Sequence, residues 1–321
     1  MNGKLRIILG TTASGKERLA LAVAERMGGE IISVDSMKVY RGLDVATAKA
    51  GPEERARVRH HCLDLVEPTE TFSAADFVRE AERAIADIRS RGKLPFLSGG
   101  TAFYYKALLE GLFEGPGADL ALRAELEARA EREGGDALHA ELAALDPAAA
   151  VKIHPSDIRR LVRALEVAAL TGSGISRRQT QWAGFHSPDR KERAAAFFAE
   201  PRHEFVMVRI ERERADIHSR VRERIGRMVE AGLEREARMV FEERAAISRT
   251  PLQAVGYKEF FPYFRGEETL EQAVEKLAFA TNRLVRSQDT WFRKFPAEVV
   301  RMDANTDTDD AAGRLAGGVF S

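Results

Sequence analysis

Residues 10–17, GTTASGKE, restrict the fold of this chain more than any other stretch. They follow the apolar run LRIIL and lead into residues 16–29, where apolar side chains recur at helical spacing up to a glycine stop. Gly10, Gly15 and Lys16 satisfy the pattern G-x-x-x-x-G-K-[ST], in which backbone N–H groups between a strand and a helix hold phosphate. The sequence therefore predicts a phosphate loop.

The last position of this loop departs from the pattern. Glu17 stands where Ser or Thr normally offers a hydroxyl to Mg²⁺. A carboxylate also binds Mg²⁺, so we expect Glu17 to be a metal ligand and Mg²⁺ to be the cofactor, although the added negative charge beside phosphates would weaken the loop. The residues expected to hold phosphate are Gly10, Thr11, Thr12, Ala13, Ser14, Gly15, Lys16 and Glu17.

Strand-like and helix-like segments alternate at both ends of the chain. Strands are predicted at 5–10, 30–36, 203–212 and 297–303, with a further strand, glycine turn and helix within 94–112. Such alternation predicts an α/β fold, with a parallel sheet covered by helices on both faces. The polar tail that follows residue 303 would either start a last helix or fray.

The middle of the chain differs, because residues 115–200 carry little strand signal. Helices are predicted there at 119–133, 135–145 and 157–171. We therefore expect two domains: an α/β core formed by residues 1–114 and 201–321, and a helical insertion formed by residues 115–200.

Composition excludes several classes of protein. The single cysteine, Cys62, rules out an internal disulfide and a cysteine-cluster zinc site. The N-terminus lacks the pattern of a secretory signal, and no apolar run reaches the roughly 18 residues that a membrane span needs. We expect a cytoplasmic monomer without membrane association. Lys plus Arg and Asp plus Glu number 50 each, so only a local basic face would favour nucleic acid.

Polar residues follow the predicted strands at the edge where ligands of parallel sheets bind. Asp35 and Ser36 follow the second strand, and Thr101 follows the glycine turn at 99–100. Asp35 would serve as a general base or metal ligand, or be an ordinary cap. Thr101 would join the site or only cap a helix. Thr47 and Lys49 add groups able to contact phosphates.

Basic residues recur in the second half of the chain. Many alternate with Glu, as on a solvated, salt-bridged face. As a set, together with Tyr257, Trp182 and Trp291, they would instead hold phosphates and stack bases. The arginines concerned are Arg159, Arg160, Arg163, Arg209, Arg212, Arg220, Arg224, Arg283 and Arg286.

Seven segments in order resemble the tRNA dimethylallyltransferases, over roughly residues 5–300. They are GTTASGK, SVDSMKVYRGLDVATAK, HHCLDLVEPTETFSAADF, SGGTAFYYKALLEGL, LDPAAAVKIHPSDIRRLVRALEV, LQAVGYKEF and TWFRKF. The resemblance implies a P-loop-kinase-like core with a helical insertion. It also implies transfer of a dimethylallyl group from dimethylallyl diphosphate to N6 of the adenosine 3′ to the tRNA anticodon, assisted by Mg²⁺.

The resemblance also assigns roles. The phosphate loop would bind the diphosphate, with Lys16 stabilising the leaving group; Asp35 would be the general base on adenine N6, and Thr101 would contact the reacting region. The segments that meet the tRNA anticodon stem-loop would comprise Asp35, Ser36, Met37, Lys38, Thr101, Arg123, Arg159, Arg160, Leu161, Val162 and Arg163.

Six positions depart from what is usual in this family. Members generally carry Pro at Thr11, Ser or Thr at Glu17, Gln at Lys38 and Gly at Ala46, whereas Asn282 and Ser287 replace basic residues of a late helix. The change at Glu17 affects metal binding. The changes at Lys38, Asn282 and Ser287 affect recognition of the base and contacts with phosphate.

Three alternatives remain open at this point. In the first, the acceptor is a free adenine nucleotide, although such an acceptor needs no insertion to clamp an anticodon. In the second, the protein is a small-molecule kinase that uses ATP, which leaves the seven segments unexplained. In the third, it is an RNA-binding relative without turnover, for which Glu17 and Ser287 are the best support.

Overall fold

The computed structural model describes residues 3–113, 115–178, 198 and 200–321. The chain divides into two compact units: Met1–Leu109 with Pro201–Ser321, and Glu110–Glu200. At the junction, the backbone N–H of Arg202 donates to the carbonyl of Leu109 at 2.8 Å. The chain therefore leaves and re-enters the first unit at one point.

A parallel sheet of six strands forms the centre of the first unit, in the order β3-β2-β4-β1-β5-β6. This confirms the predicted α/β class. The short β3 was not predicted, because two residues show no periodicity. The strands are β1 Leu5–Leu9, β2 Glu30–Ser33, β3 His60–His61, β4 Pro95–Gly99, β5 Phe205–Glu211 and β6 Glu298–Arg301.

Strand β1 is wholly buried and pairs with β4 and β5. Its unbroken apolar run suits a strand covered on both faces. Leu9 and Gly99, the last residues of β1 and β4, lie opposite each other, and Ser33 at the end of β2 lies opposite Ser98. The segments that follow β1, β2 and β4 consequently meet at one edge of the sheet.

Helices cover both faces of this sheet. The first unit contains α1 Lys16–Arg26, α2 Pro52–Arg57, α3 Ala74–Ser90, α4 Ala102–Glu110 (whose last residue falls in the second unit), α10 Arg214–Glu230, α11 Leu233–Glu242, α12 Arg249–Leu252, a 3₁₀ turn at Lys258–Phe260, α13 Phe261–Phe264, α14 Leu270–Phe292 and α15 Thr308–Gly317. Helices α1 and α15 pack on the face that carries Ile8 and Phe96. The tail thus forms a helix, capped by the Asp307 carboxylate.

The second unit is helical, with α5 Leu120–Glu133, α6 Gly135–Leu145, α7 Pro147–Ala150, α8 Ile158–Thr171 and α9 Ile175–Arg178. Leu126, Leu138, Leu142 and Leu165 form its core. Asp146 ties the end of α6 to later residues, because its carboxylate accepts hydrogen bonds from the backbone N–H groups of Ala149 and Ser176.

No helix within the described residues is long and apolar enough to cross a membrane. Cys62 is a buried free thiol, and burial raises its pKa to about 12, so it stays protonated and packs as a small apolar side chain.

Candidate active site

The phosphate loop is sharply curved where it meets α1. Ala13 and Gly15 have positive φ angles of 64° and 92°, and the N–H of Ser14 donates to the Thr11 carbonyl at 3.2 Å. A Cβ at Gly10 would lie 2.6 Å from Ser14 Oγ, so a larger residue here would displace the Ser14 hydroxyl. Successive turn residues of this kind form a concavity that suits an anion, and α1 adds its N-terminus.

Two arginines of the basic series hold this loop by its carbonyl groups. Arg212 Nε donates to the Ser14 carbonyl at 2.7 Å, and Arg220 Nε donates to the Ala13 carbonyl at 2.8 Å. Arg212 is also paired with Asp216 at 2.8 Å. Both arginines therefore support the backbone of the loop, a role that the sequence did not indicate.

Gln288, on α14, joins the phosphate loop to the second glycine turn. Its Oε1 accepts from the N–H of Thr12 at 2.7 Å, and its Nε2 donates to the Gly100 carbonyl at 3.1 Å. A Cβ at Gly100 would lie 2.4 Å from that Nε2, so the contact requires glycine. Gln288 was not predicted from the sequence, because one polar residue on a long helix gives no local signal.

Lys16, Glu17 and Lys38 form a cluster of three charges beside the loop. Glu17 Oε1 lies 3.0 Å from Lys16 Nζ and 3.4 Å from Lys38 Nζ. Both lysine side chains are almost fully buried. Burial opposes ionisation of Glu17, but the charges of Lys16, Lys38 and Arg224 outweigh it and hold the pKa of the carboxyl well below its usual range. Burial lowers the pKa of Lys16, and Glu17 opposes that shift.

This arrangement is poorly suited to a metal held directly by Glu17, because one of its oxygens already faces two ammonium groups. Among the described residues, one acid–histidine group has its ligand atoms close enough for a metal: Glu30, His61 and Asp87. Glu30 starts β2, and the loop follows the opposite end of the sheet. Arg91 also pairs with both acids. Within the described part of the chain, the residues around the loop therefore provide no cluster of three or more acidic, histidine or cysteine ligands.

Asp35 and Thr101 meet across the ends of β2 and β4. Asp35 Oδ1 accepts from the N–H groups of Met37 and Lys38 at 2.8 and 3.2 Å, and the Thr101 hydroxyl accepts from the N–H of Ser36 at 3.1 Å. The Thr101 N–H donates to the Val34 carbonyl at 3.2 Å. These bonds fix both side chains of the predicted pair beside one turn.

The loop at residues 44–46 is held by a side chain that the sequence analysis did not single out. The Glu236 carboxylate accepts from the N–H groups of Asp44, Val45 and Ala46 at 2.8, 2.8 and 2.9 Å. It also accepts from the Tyr257 hydroxyl at 2.9 Å. Tyr257 is fully buried, so its predicted role in base stacking is wrong.

Lys49 was a candidate for phosphate contact, but its ammonium group is already occupied. Its Nζ lies 2.5 Å from Asp44 Oδ1, 2.7 Å from Asp64 Oδ1 and 2.6 Å from the Tyr40 carbonyl, with the side chain 1% exposed. It is a structural cation. Lys49 lines the groove beside the loop, and the other charged residues of that lining include Glu17, Arg18, Arg220, Arg224 and Arg227.

The helical unit holds the residues predicted to bind tRNA there. The buried Glu166 carboxylate forms ion pairs with Arg123, at 2.8 Å from its Nε, and with Arg163. Arg159 and Arg160 are exposed on α8. Leu161 and Val162 are buried in the core of the unit, so their side chains offer no surface for RNA, and that part of the prediction is corrected. Trp182 lies outside the described residues.

Comparisons with known proteins agree with this architecture. A family model described as IPP transferase matches residues 38–295. The tRNA dimethylallyltransferase of Geobacter sulfurreducens is 44% identical over 306 residues, covering 95% of this chain and 94% of that protein. The tRNA dimethylallyltransferase of Anaeromyxobacter dehalogenans is 45% identical over 293 residues, covering 91% and 92%.

Solved structures give the same result. The tRNA isopentenylpyrophosphate transferase of Bacillus halodurans superposes with a TM-score of 0.67 at 37% identity, covering 98% of this chain and 96% of that one. A eukaryotic dimethylallyltransferase acting on tRNA superposes with a TM-score of 0.74 at 25% identity, covering 98% and 78%. On this evidence the chain belongs to the IPP transferase family, among the tRNA dimethylallyltransferases.

Proposed function

We propose that this protein transfers a dimethylallyl group from dimethylallyl diphosphate to N6 of the adenosine 3′ to the anticodon of tRNA. The observation that carries the proposal is the position of the phosphate loop beside the Asp35–Thr101 turn, with Gln288 bonded to the loop and to Gly100. A loop for diphosphate and a carboxylate for an amine proton are the two parts that this reaction needs.

The diphosphate would lie in the phosphate loop. Backbone N–H groups of residues 10–17 and the ammonium of Lys16 favour a group that gains negative charge as it leaves. Arg224 adds positive charge, since it lines the same groove. Lys16 is largely shielded from water, which strengthens its interaction with phosphate oxygens.

Asp35 would act as the general base. The N6 nitrogen attacks the C1 carbon of the dimethylallyl group, the N–C bond forms while the C–O bond breaks, and diphosphate leaves with the electron pair. The proton leaves N6 for the Asp35 carboxylate. Because an exocyclic adenine amine is a weak nucleophile, a positioned base assists its attack. Backbone bonds from Met37 and Lys38 keep Asp35 oriented.

Mg²⁺ would enter as the counter-ion of the diphosphate. Magnesium is commonly held by substrate phosphates with few protein ligands, which suits a loop beside which the described residues include no cluster of three or more ligand side chains. We therefore treat the magnesium complex of dimethylallyl diphosphate as the substrate and assign no step to a resident metal.

The acceptor would be the anticodon stem-loop of tRNA. A base in a stacked loop must be flipped out before N6 is reachable, and contacts to phosphates hold the RNA while this happens. Arg159 and Arg160 are exposed on α8 and would contact the backbone, as would Arg123 and Arg163 from their pairs with Glu166. In the turn after β2, the residues from Ser36 to Lys38 and Thr101 would meet the target nucleotide. The protein would act as a monomer.

One assay tests the proposal. Purified protein is incubated with labelled dimethylallyl diphosphate and Mg²⁺, together with unmodified tRNA, AMP or buffer. Label in tRNA supports the proposal, and label in AMP alone would show that a free nucleotide is the acceptor. Retention of tRNA on a filter without any transfer would show an RNA-binding relative that lacks turnover.

A substitution assigns the base. Asp35→Asn keeps the size of the side chain but removes its basicity, so turnover should fall by about 10²-fold or more while tRNA binding is retained. Activity close to that of the unmodified protein would contradict the assignment. Elution as a single species of monomer mass in size-exclusion chromatography with light scattering tests the oligomeric state.

A further inference from the structure

Two of the departures from the family, Glu17 and Lys38, lie against each other. Glu17 Oε1 is 3.4 Å from Lys38 Nζ, although the two residues are 21 positions apart. The same oxygen is 3.0 Å from Lys16 Nζ. The two lysine side chains are 4% and 8% exposed and place their ammonium groups against the same carboxylate oxygen, so Glu17 offsets their repulsion.

The net charge of this cluster is the same as with the usual residues. A lysine at position 16 with a hydroxyl at 17 and an amide at 38 carries one positive charge. Lys16, Glu17 and Lys38 together also carry one positive charge. Glu17 alone would cancel Lys16 and repel a diphosphate, so Lys38 restores the charge that the phosphate loop needs.

Lys38 also belongs to the turn that holds the proposed base. Its backbone N–H donates to Asp35 Oδ1 at 3.2 Å, while its side chain reaches Glu17 on α1. An ammonium group has three N–H donors, so Lys38 keeps its bond to Glu17 and still has donors for a phosphate oxygen. Glu17 thereby links the helix behind the phosphate loop to the Asp35 turn.

We propose that Glu17 and Lys38 act as a coupled pair: Lys38 offsets the charge of Glu17, and Glu17 positions the Lys38 ammonium as a donor to the diphosphate at the place where a metal would otherwise bind. Glu17 is then a positioning residue and not a metal ligand. The proposal rests on the proposed function only in that the loop binds a diphosphate.

A double-mutant cycle tests the coupling, with inorganic pyrophosphate as the probe and calorimetry as the readout. The four proteins are the unmodified chain, Lys38→Gln, Glu17→Thr and the double variant. In EDTA, Lys38→Gln should weaken binding by about tenfold or more when Glu17 is present, and by less than about threefold when Thr is at position 17. Equal losses in both backgrounds would overturn the proposal.

The metal is tested with the same proteins. The unmodified chain should bind pyrophosphate with similar affinity in EDTA and in Mg²⁺, within about threefold, whereas the double variant should gain about tenfold from Mg²⁺. A gain from Mg²⁺ as large in the unmodified chain as in the double variant would show that Lys38 does not replace a metal.

Two further variants separate charge from folding. Lys38→Arg keeps the positive charge and should bind pyrophosphate like the unmodified chain; weak binding with an unchanged melting temperature would overturn the charge role. Lys276→Gln makes the same kind of change at an exposed lysine paired with Glu268, and it should leave binding unaltered. Since none of these measurements needs tRNA, a failed transfer assay would refute the proposed function and leave the coupling standing.

Discussion

The backbone N–H of Ser36 donates a hydrogen bond to the hydroxyl of Thr101 at 3.1 Å, and this bond joins the turns that follow β2 and β4. The Thr101 N–H returns a bond to the Val34 carbonyl at 3.2 Å. The proposed base, Asp35, lies between these two attachment points along the chain. Its position relative to the glycine turn is therefore set by Thr101.

Thr101→Val should lower turnover by about tenfold, because a valine of the same shape cannot accept the bond from Ser36 and the Asp35 turn loosens. The KM for dimethylallyl diphosphate should change little, since the phosphate loop is untouched. Thr101→Ser keeps the hydroxyl and is the matched control. Steady-state kinetics on tRNA check this, and loss of activity in the serine variant as well would contradict it.

Gln288→Ala should weaken the binding of dimethylallyl diphosphate by about tenfold, because the N–H of Thr12 and the carbonyl of Gly100 lose the side chain that joins them. Calorimetry with the diphosphate measures the effect. The neighbouring Ser287 is exposed on the same helix, so Ser287→Ala should leave affinity unchanged. Equal affinities for the two variants would show that Gln288 does not shape the loop.

Glu236→Ala should lower the free energy of unfolding by about 1–3 kcal/mol, because three backbone N–H groups of the loop at residues 44–46 lose a charged acceptor. Tyr257→Phe removes only the fourth donor and should cost less. Urea unfolding of both variants gives the comparison. A phenylalanine variant as unstable as the alanine variant would place the effect in the hydrogen bond of the Tyr257 hydroxyl and not in the three backbone N–H groups.

The Glu30–Arg91 pair gives a dependence of stability on pH. Hydrogen bonds from Arg91, against the opposing effect of burial and with help from His61, lower the pKa of Glu30 from 4.5 to about 2. Since the folded pKa lies below the unfolded one, the stabilisation is complete above about pH 4.5 and is lost as the pH falls toward 2. Screening by solvent reduces the full value of this shift, so the contribution at neutral pH is at most about 3 kcal/mol.

Urea unfolding at several pH values checks this dependence. Glu30→Gln should remove part of the slope between pH 4.5 and about 2, and it should lower stability at neutral pH. Glu25 forms an exposed pair with Arg57, so Glu25→Gln is the matched control and should leave the pH profile nearly unchanged. Parallel profiles for Glu30→Gln and the unmodified chain would refute the assignment.

The sequence predicted those parts of the molecule that are encoded locally. Residues 10–17 and their flanking strand and helix were predicted because phosphate loops have fixed spacing, and α8 because its apolar residues repeat at helical spacing. The contacts of Gln288 and Glu236 were missed because their partners lie 276 and 191 positions away. No local pattern reports such pairs.

Burial explains the remaining differences. Leu161 lies between arginines in the sequence and was grouped with them, yet helical periodicity turns it into the core of its unit. Lys49 stands in a polar stretch, but two carboxylates and a carbonyl enclose its ammonium group. In both cases the residue type was read correctly, and only the fold decides which way the side chain faces.

The hydrogen bond between the Arg202 N–H and the Leu109 carbonyl holds together the two points at which the chain leaves and re-enters the core. Because the core already holds these two points together, lengthening or exchanging the helices between residues 110 and 200 adds little to the entropic cost of closing that loop. The register of the strands stays unchanged. The helical unit can therefore change in length and sequence, in evolution or by design, while the strands of the core and the turns that follow them keep their positions.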